Sequence, residues 1–344
     1  MPQVRVEALD DDSVERWDRF VEAAPGATLF HRAGWRTVVE RSFGQNCHFL
    51  QAKCDGRITG VLPLVQISSP LFGNRLISGA YGLYGGPVAS DDASLEALNR
   101  AAEQLALDLE VDYLEYRLRR PSSRPWARNS TLYATFRRPL APDPDANLCA
   151  VPRKRRAMIR KALSRGLKTE LDRDIDRFYS VYARNVRKHG TPPYPAAYFR
   201  ALMDVFGSDC EILTVVEGKE PLASVLSFYF RDEVLPYSGG LVAQGRRHAA
   251  GDLMYWEVMR RACARGARVF DFGRSKLGTG AFDYKRIWGF EPENLHHEYL
   301  LLGATKVPEV NPLNRKYALL IACWRRLPLF AANALGPLIS RGLG

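Results

Sequence analysis

"WRTVVERSFGQNCHFLQA", from Trp35 to Ala52, and "FRALMDVFGSDCEILTV", from Phe199 to Val215, carry one pattern twice. Each reads as a helix that closes on Phe-Gly and runs into an apolar strand, so Gly44 answers to Gly207 and His48 to Glu211. A turn and another strand follow in each half, "CDGRITGVLPLVQI" and "VEGKEPLASVLSFYF". Next, "YGGPVA" (84–89) is echoed by "SGGLVA" (238–243). A helical apolar face comes after each: Leu95, Leu98, Ala102, Leu105 and Leu109 in one, Tyr255, Val258, Met259 and Ala262 in the other. These helices feed "VDYLEYR" (111–117) and "ARVFDFG" (267–273), both strand-like. Internal repetition of this kind bears on the whole architecture. Strands ahead of the helix can pair as a meander, and a strand reached through a helix implies a parallel crossover. The expectation is an α/β (α+β) chain made by tandem duplication, each copy with a mixed sheet. The boundaries predicted are residues 1–145, residues 146–304, and a basic amphipathic tail over 305–344.

The 344 residues suit about two domains, and 46% apolar with 25% charged residues is a globular balance. With 49 basic and 38 acidic side chains the net charge is +11, which favours anionic partners: phosphates, nucleic acid or an acidic membrane surface. None of the six cysteines forms a C-x-x-C pair, which argues against a disulfide framework or a zinc site and for a reducing compartment. No metal is expected. The opening "MPQVRVEALDDD" has no apolar signal region, and no run of about 20 uncharged apolar residues offers a membrane span. A cytoplasmic location is expected, with the tail as a candidate contact to the inner face of the cytoplasmic membrane.

Five stretches carry a family resemblance over nearly the whole chain: "FHRAGWRTVVERSFG", "YGLYGGPVA", "HGTPPYPAAYF", "FDFGRSKLGTGAFDYKRIWGFEPE" and "NPLNRKYALLIACWRRLP". The chain resembles the FemAB-like aminoacyl and acyl transferases of the GNAT superfamily, in particular the subgroup associated with exosortase/PEP-CTERM and exopolysaccharide systems. That resemblance implies two GNAT-like acyltransferase units and transfer from aminoacyl-tRNA to a peptidoglycan precursor. Two departures matter. A CoA-binding GNAT carries a Gln/Arg-x-x-Gly-x-Gly/Ala loop where this chain has "GLVAQGRRHAAGD", and no sustained heptads for a tRNA-holding arm occur between residues 160 and 260.

The candidate site centres on "GRSKLGTGAFDYKRIWGFEPE", residues 273–293. It follows the strand "RVFDFG", and ligands of α/β sheets sit beyond the carboxyl ends of such strands. Gly273-x4-Gly278 approaches a phosphate-cradling loop, but Thr279 stands in place of the lysine. The resemblance implies that Tyr284-Lys285 matches a Phe/Tyr-Lys pair that contacts the acceptor's phosphate and supports the reacting carbonyl. Lys285 is therefore the first catalytic candidate, as a charge near a developing oxyanion. Asp271 is the second, to orient a lysine or accept an amine proton, with a structural ion pair as its alternative. The substrate-binding candidates are Arg274, Ser275, Tyr284, Tyr237, Gly239, Gly240, and Arg155 and Arg156 of the basic helix "PRKRRAMIRKALSRGLK". In the tail, Leu319, Leu320, Cys323, Trp324 and Leu327 form an apolar helical face beside Arg325 and Arg326, suited either to a membrane interface or to packing on the body.

The function expected is transfer of an acyl or aminoacyl group onto an amine of a cell-envelope precursor of peptidoglycan or exopolysaccharide. Its partners would be a diphosphate-linked envelope precursor, aminoacyl-tRNA as one candidate donor, and an anionic membrane surface met by the tail. No cofactor is fixed; the donor is either aminoacyl-tRNA or acyl-CoA. The alternatives are a CoA-dependent N-acetyltransferase and a non-catalytic RNA or membrane-surface adaptor.

Overall fold

A computed structural model of the chain describes residues 3–70, 72–307 and 315–344, with the side chains of the last segment described from residue 320 onward. The stretch 311–314 and the side chain of Leu319, on which part of the tail expectation rests, lie outside the described residues. Two compact units emerge. One comprises Met1–Tyr133, Asn294–Glu309 and Arg341–Gly344, the other Ala134–Glu293 and Val310–Ser340.

The first unit runs β1 (Arg5–Ala8), α1 (Val14–Ala23), α2 (Gly34–Phe43), β2 (Asn46–Cys54), β3 (Arg57–Ser69), β4 (Gly73–Ser78), β5 (Val88–Ala89), α3 (Asp92–Asp108), β6 (Tyr113–Leu118) and β7 (Ala127–Asn129). The second runs β8 (Tyr133–Pro139), α4 (Pro144–Ala150), α5 (Arg153–Ser164), β9 (Lys168–Asp172), α6 (Asp176–His189), α7 (Ala196–Phe206), β10 (Cys210–Glu217), β11 (Glu220–Phe230) and β12 (Glu233–Leu241). It continues with α8 (Ala243–Arg247), α9 (Ala250–Ala264), β13 (Val269–Asp271), β14 (Ser275–Lys276), α10 (Gly280–Arg286) and β15 (Pro292–Asn294). The strand β16 (His296–Leu301) precedes the helices α11 (Arg315–Arg326) and α12 (Leu329–Ser340).

Both sheets are eight-stranded and mixed, with orders β1-β2-β3-β4-β6-β16-β7 and β14-β8-β13-β12-β11-β10-β9; β5 adds to β3 and β15 to β8. The duplication expected from the sequence is present. In each unit an antiparallel meander, β2-β3-β4 or β10-β11-β12, passes through a long helix to a parallel partner, β6 beside β4 and β13 beside β12. Of the predicted helix stripes, Leu98 and Ala102 are buried on α3 and Val258, Met259 and Ala262 on α9, while Leu95, Leu105, Leu109 and Tyr255 are half-buried. Leu98 and Ala102 pack in a cluster with Leu62, Leu64, Leu76 and Leu114, and the α9 residues in another with Val225, Val234, Phe270 and Trp288.

The units divide elsewhere than at 145/146. Residues 134–145 fold with the second unit because β8 pairs antiparallel with β13. Residues 294–304 return to the first, because β16 pairs with β6 and β7. Alternation in "YATFRRP" announces a strand and cannot say which sheet takes it. The two Gly-Gly steps also differ: Gly85-Gly86 lies between β4 and β5, whereas Gly239-Gly240 lies inside β12. On α5, Ile159 and Ala162 are buried and Leu163 is 51% exposed.

Candidate active site in the second unit

The second sheet opens next to its parallel pair. Between β12 and β13 only Glu233 with Val269 and Val234 with Phe270 are in register, although β12 continues to Leu241. On its other side β12 follows β11 with a bulge: Leu226 faces Ser238 and Ser227 faces Pro236, so Tyr237 is the extra residue. A bulge bends its strand and re-aims a side chain. β12 thus turns away where β13 ends, while Ser275–Lys276 of β14 pair with β8.

Asp271 closes β13 and is 1% exposed. Its Oδ1 accepts from Thr135 Oγ1 at 3.1 Å and from the Gly273 amide at 2.8 Å, while Arg137 Nε stands 3.4 Å from Oδ2. The carboxylate thus caps the turn at Gly273, whose φ of +72° belongs to glycine's range. It thereby positions the turn and meets Arg137 in an ion pair, the structural alternative expected for it. Thr135 and Arg137 went unnoticed in the sequence, where "YATFRRP" shows them only as the outer face of a strand.

Lys285 comes from α10, which Thr279 starts by accepting from the Phe282 amide at 3.4 Å. Its Nζ donates to the carbonyl oxygens of Gly273 at 2.8 Å and Arg274 at 3.2 Å. The Phe136 and Phe272 ring centroids lie 5.7 and 5.6 Å from the same atom. Burial pulls the Lys285 pKa from 10.5 to about 7, against the Asp271 carboxylate and with the help of the Arg274 guanidinium. Lys276 falls to about 8, through burial first and Arg274 second. Three cationic groups therefore crowd one turn, and Ser275, 6% exposed, keeps a buried Oγ without a hydrogen-bond partner among the described residues.

The remaining candidates divide among other neighbourhoods. Tyr284 turns from the loop into the core, beside Tyr255 and Trp288, and its hydroxyl donates to Asp252 Oδ1 at 3.4 Å. Burial raises its pKa well above the ordinary phenol value, and Asp252 adds to the rise. Arg155 also reaches Asp252, at 3.2 Å. Burial raises the Asp252 pKa, opposed by Arg155 and Tyr284. Tyr284 and Arg155 thus join a partly buried cluster at the start of α9, where each places its polar group on Asp252. Arg156 lies apart from the turn on α5, with a buried Nε that lacks a partner among the described residues.

The glycines of β12 are taken up by packing. A Cβ on Gly240 would lie 2.7 Å from the Val181 carbonyl of α6, and one on Gly239 would lie 2.8 Å from the Ser224 carbonyl of β11. They admit a helix and a strand to close approach. Tyr237 is half-buried; its hydroxyl is 2.6 Å from that of Tyr198, and its ring packs on Phe228. The partner Tyr198 was not anticipated. Between β12 and α9, a Cβ on Gly245 would lie 2.4 Å from the Leu222 carbonyl, so this glycine also serves packing. In the first unit, His296 and His297 point to different partners, Ser130 Oγ at 2.7 Å and Glu115 Oε1 at 2.8 Å.

Comparison with known proteins agrees with this fold. No curated protein sequence matches the chain. Residues 153–286 match the Acetyltransferase (GNAT) domain family, a span that includes β12, α9, β13 and Lys285. The chain is similar in fold to FemX, with a TM-score of 0.66, 15% identity, and coverage of 87% of this chain and 98% of that one. It is also similar to L-PGS from Bacillus licheniformis (TM-score 0.57, 10% identity, 93% and 97% covered). A third is a tandem GNAT protein from the clavulanic acid biosynthesis pathway (0.54, 15%, 88% and 100%). The chain has a tandem GNAT-like fold, and the match to the GNAT domain family lies within its second unit.

Proposed function

We propose that the chain is a FemAB-like transferase that moves an acyl or aminoacyl group onto an amine of a diphosphate-linked envelope precursor, of peptidoglycan or of an exopolysaccharide in a PEP-CTERM setting. The observation that carries this reading is Lys285, a lysine with a pKa of about 7 beside an opened parallel strand pair. Two of its three non-carbon valences point at the Gly273 and Arg274 carbonyls. In the neutral amine both N–H bonds are used there, and the lone pair takes the remaining tetrahedral direction. A base whose pKa lies near the working pH is suited to proton transfer.

In the reaction proposed, the acceptor's nitrogen attacks the activated carbonyl carbon of the donor. The C–N bond forms as the donor's C–O bond breaks, or its C–S bond if the donor is a thioester. Lys285 takes the proton from nitrogen, and the departing oxygen or sulfur is protonated in turn. Arg274 and Lys276 supply positive charge for the acceptor's diphosphate, Ser275 adds a hydroxyl, and Asp271 positions the turn that holds Lys285. Tyr237 stands at the bulge on the facing strand.

A second reading is favoured by the crowding of Arg274, Lys276 and Lys285: charged Lys285 is itself an anion holder. The pH dependence separates the two. With UDP-linked muropeptide as acceptor and aminoacyl-tRNA or acetyl-CoA as donor, kcat/KM rises through about pH 7 if the neutral amine is required and falls there if the ammonium is required. Lys285→Ala is expected to lose on the order of a hundredfold in turnover at an unchanged melting temperature. Near wild-type turnover in that variant overturns both.

A further inference from the structure

Among the described residues, eight large apolar side chains are exposed, and four of them, Leu320, Phe330, Leu335 and Leu338, fall on α11 and α12. The sequence "LFAANALGPLIS" of α12 contains no charged residue. One side of this helix meets the body of the second unit: Ala332, Gly336 and Ser340 recur every four residues and are buried. Gly336 lies so close to Pro193 that an added Cβ would be 2.4 Å from its Cδ, and Ser340 Oγ donates to the Pro193 carbonyl at 3.1 Å. The same spacing puts Phe330, Ala334 and Leu338 on the opposite side, with Phe330 78% and Leu338 74% exposed. A surface helix normally turns charge to water, and this one turns a phenyl ring and two leucines.

Beside it lies a basic pocket. Arg325 of α11 and Arg184, Arg187 and Lys188 of α6 line a cavity of about 330 Å³, together with the backbone turn from Leu241 to Ala243. Arg187 ties this wall to the helix pair by donating to the Leu327 carbonyl at 2.5 Å. The His189 pKa is lowered, by burial first and then by Arg246, Lys188 and Arg325, which reports the same positive field. Trp324 is buried while Leu320 and Cys323 are exposed, so the apolar face expected on α11 is split: its tryptophan holds the helix to the body.

We propose that α11 and α12 dock the chain on an anionic phospholipid surface, with lipid phosphates taken by Arg184, Arg187, Lys188 and Arg325, and Phe330, Leu335 and Leu338 entering the acyl boundary. At 1.5 Å per residue α12 is about 18 Å long, short of the roughly 30 Å hydrocarbon core, so it lies along the surface. No helix of the described residues is long and apolar enough to cross a membrane. Apolar insertion joined to attraction by basic groups is the energetics of interfacial helices. This docking is independent of the transfer chemistry and is read without turnover.

The test is co-sedimentation of the full chain with vesicles of phosphatidylcholine alone and of phosphatidylcholine with phosphatidylglycerol. Sedimentation with the anionic vesicles, weakened at about 1 M salt, is expected. Phe330→Glu/Leu338→Glu should lower the partition constant at least about a hundredfold, since each side chain leaves the acyl boundary. Arg184→Glu/Arg325→Glu should abolish the preference for anionic vesicles. Both pairs alter exposed positions, and unchanged melting temperatures verify the fold. Equal binding of the Phe330→Glu/Leu338→Glu variant, or equal wild-type binding to neutral vesicles, overturns the proposal. Binding of single-stranded RNA through the same arginines, with vesicles ignored, does so too and makes the surface a nucleic-acid interface.

Discussion

Lys285→Met offers a test of the site that needs no substrate. The wild-type ammonium is desolvated, and its pKa falls from 10.5 to about 7. At about 1.4 kcal/mol per pH unit, that corresponds to roughly 5 kcal/mol against the charged form. The side chain is half-buried, and its Nζ keeps two carbonyl partners, at 2.8 and 3.2 Å. Each hydrogen bond of the neutral amine, lost with methionine, returns about 1–1.5 kcal/mol, so the net penalty of the charged wild type relative to methionine is on the order of 2 kcal/mol. Methionine fills similar space without the charge and leaves the two carbonyls to water or to the turn. The sign follows from proton binding. Between about pH 7 and 10.5 the folded protein has released the Lys285 proton and the unfolded chain still holds it. The unfolded state thus binds more protons, and stability rises with pH across that window. Below pH 7 both states are protonated and the penalty stands in full. Lys285→Met should therefore be more stable than wild type by about 2 kcal/mol at pH 6, and this advantage should shrink and then reverse by pH 10, a swing of about 4 kcal/mol. Urea denaturation of both proteins from pH 6 to 10 reads the difference. Parallel stability curves would refute the reasoning, because Lys285 would then be titrating near its ordinary 10.5.

Asp271→Asn removes a carboxylate that raises the Lys285 pKa, so the amine should titrate below 7; the pH dependence of Lys285 modification by an amine reagent, followed by mass spectrometry, checks it. Gly240→Ala drives a methyl group into the Val181 carbonyl and should destabilise the second unit by about 1–3 kcal/mol in urea, with no loss expected if α6 were free to move away. Glu115→Gln strands the buried Arg117 guanidinium and should cost about 3–5 kcal/mol at neutral pH. Burial would raise the Glu115 pKa, but Arg117 and His297 overcome this and hold it well below 4.5, so wild-type stability from this group is present above that value and is lost as the pH falls below it. The glutamine variant should lack that part of the acid sensitivity.

Much of the architecture was legible because periodicity reports local conformation. The echo of Trp35–Ala52 in Phe199–Val215 marked two meanders, and the Leu98 and Met259 stripes marked the helices behind the parallel crossovers. Strand exchange between segments was not legible, since β8 and β16 pair through backbone groups that leave no trace in residue type. At the site, position in the chain brought Lys285 and the 273 turn together, as the fold does, but it did not show where the neighbours point. Tyr284 and Lys285 are adjacent on a helix and lie 100° apart around it, which sends one to Asp252 and the other to the Gly273 carbonyl. The glycines of β12 looked like ligand contacts because close approach is what glycine permits, and here the approaching backbone belongs to α6 and β11. The Tyr237 bulge depends on the register against β11, which only the folded sheet defines.

The duplicated halves differ in one way that bears on where chemistry resides. Glu115 is the third residue of β6 and Asp271 the third of β13, each on the strand reached through the long helix, and each is buried. Both acids are met by a side chain of the neighbouring antiparallel strand, His297 of β16 for Glu115 and Thr135 of β8 for Asp271. In the first unit Glu115 is also paired with Arg117, two residues on, at 2.9 Å. Gly273 is the counterpart of Arg117, and glycine brings no cation of its own. What Asp271 receives there is a backbone amide, and the turn this makes directs two carbonyls at a lysine delivered from α10. The same acid position thus meets a guanidinium in both copies, Arg117 of its own strand in one and Arg137 of β8 in the other, and in the second it also shapes a lysine seat. A charge neutralised by a guanidinium on its own strand has little to offer a ligand, whereas a lysine with a pKa of about 7 can exchange a proton at neutral pH. Arg117→Gly would remove the obstacle in the first unit without supplying the lysine, so it should destabilise that unit and confer no activity on it.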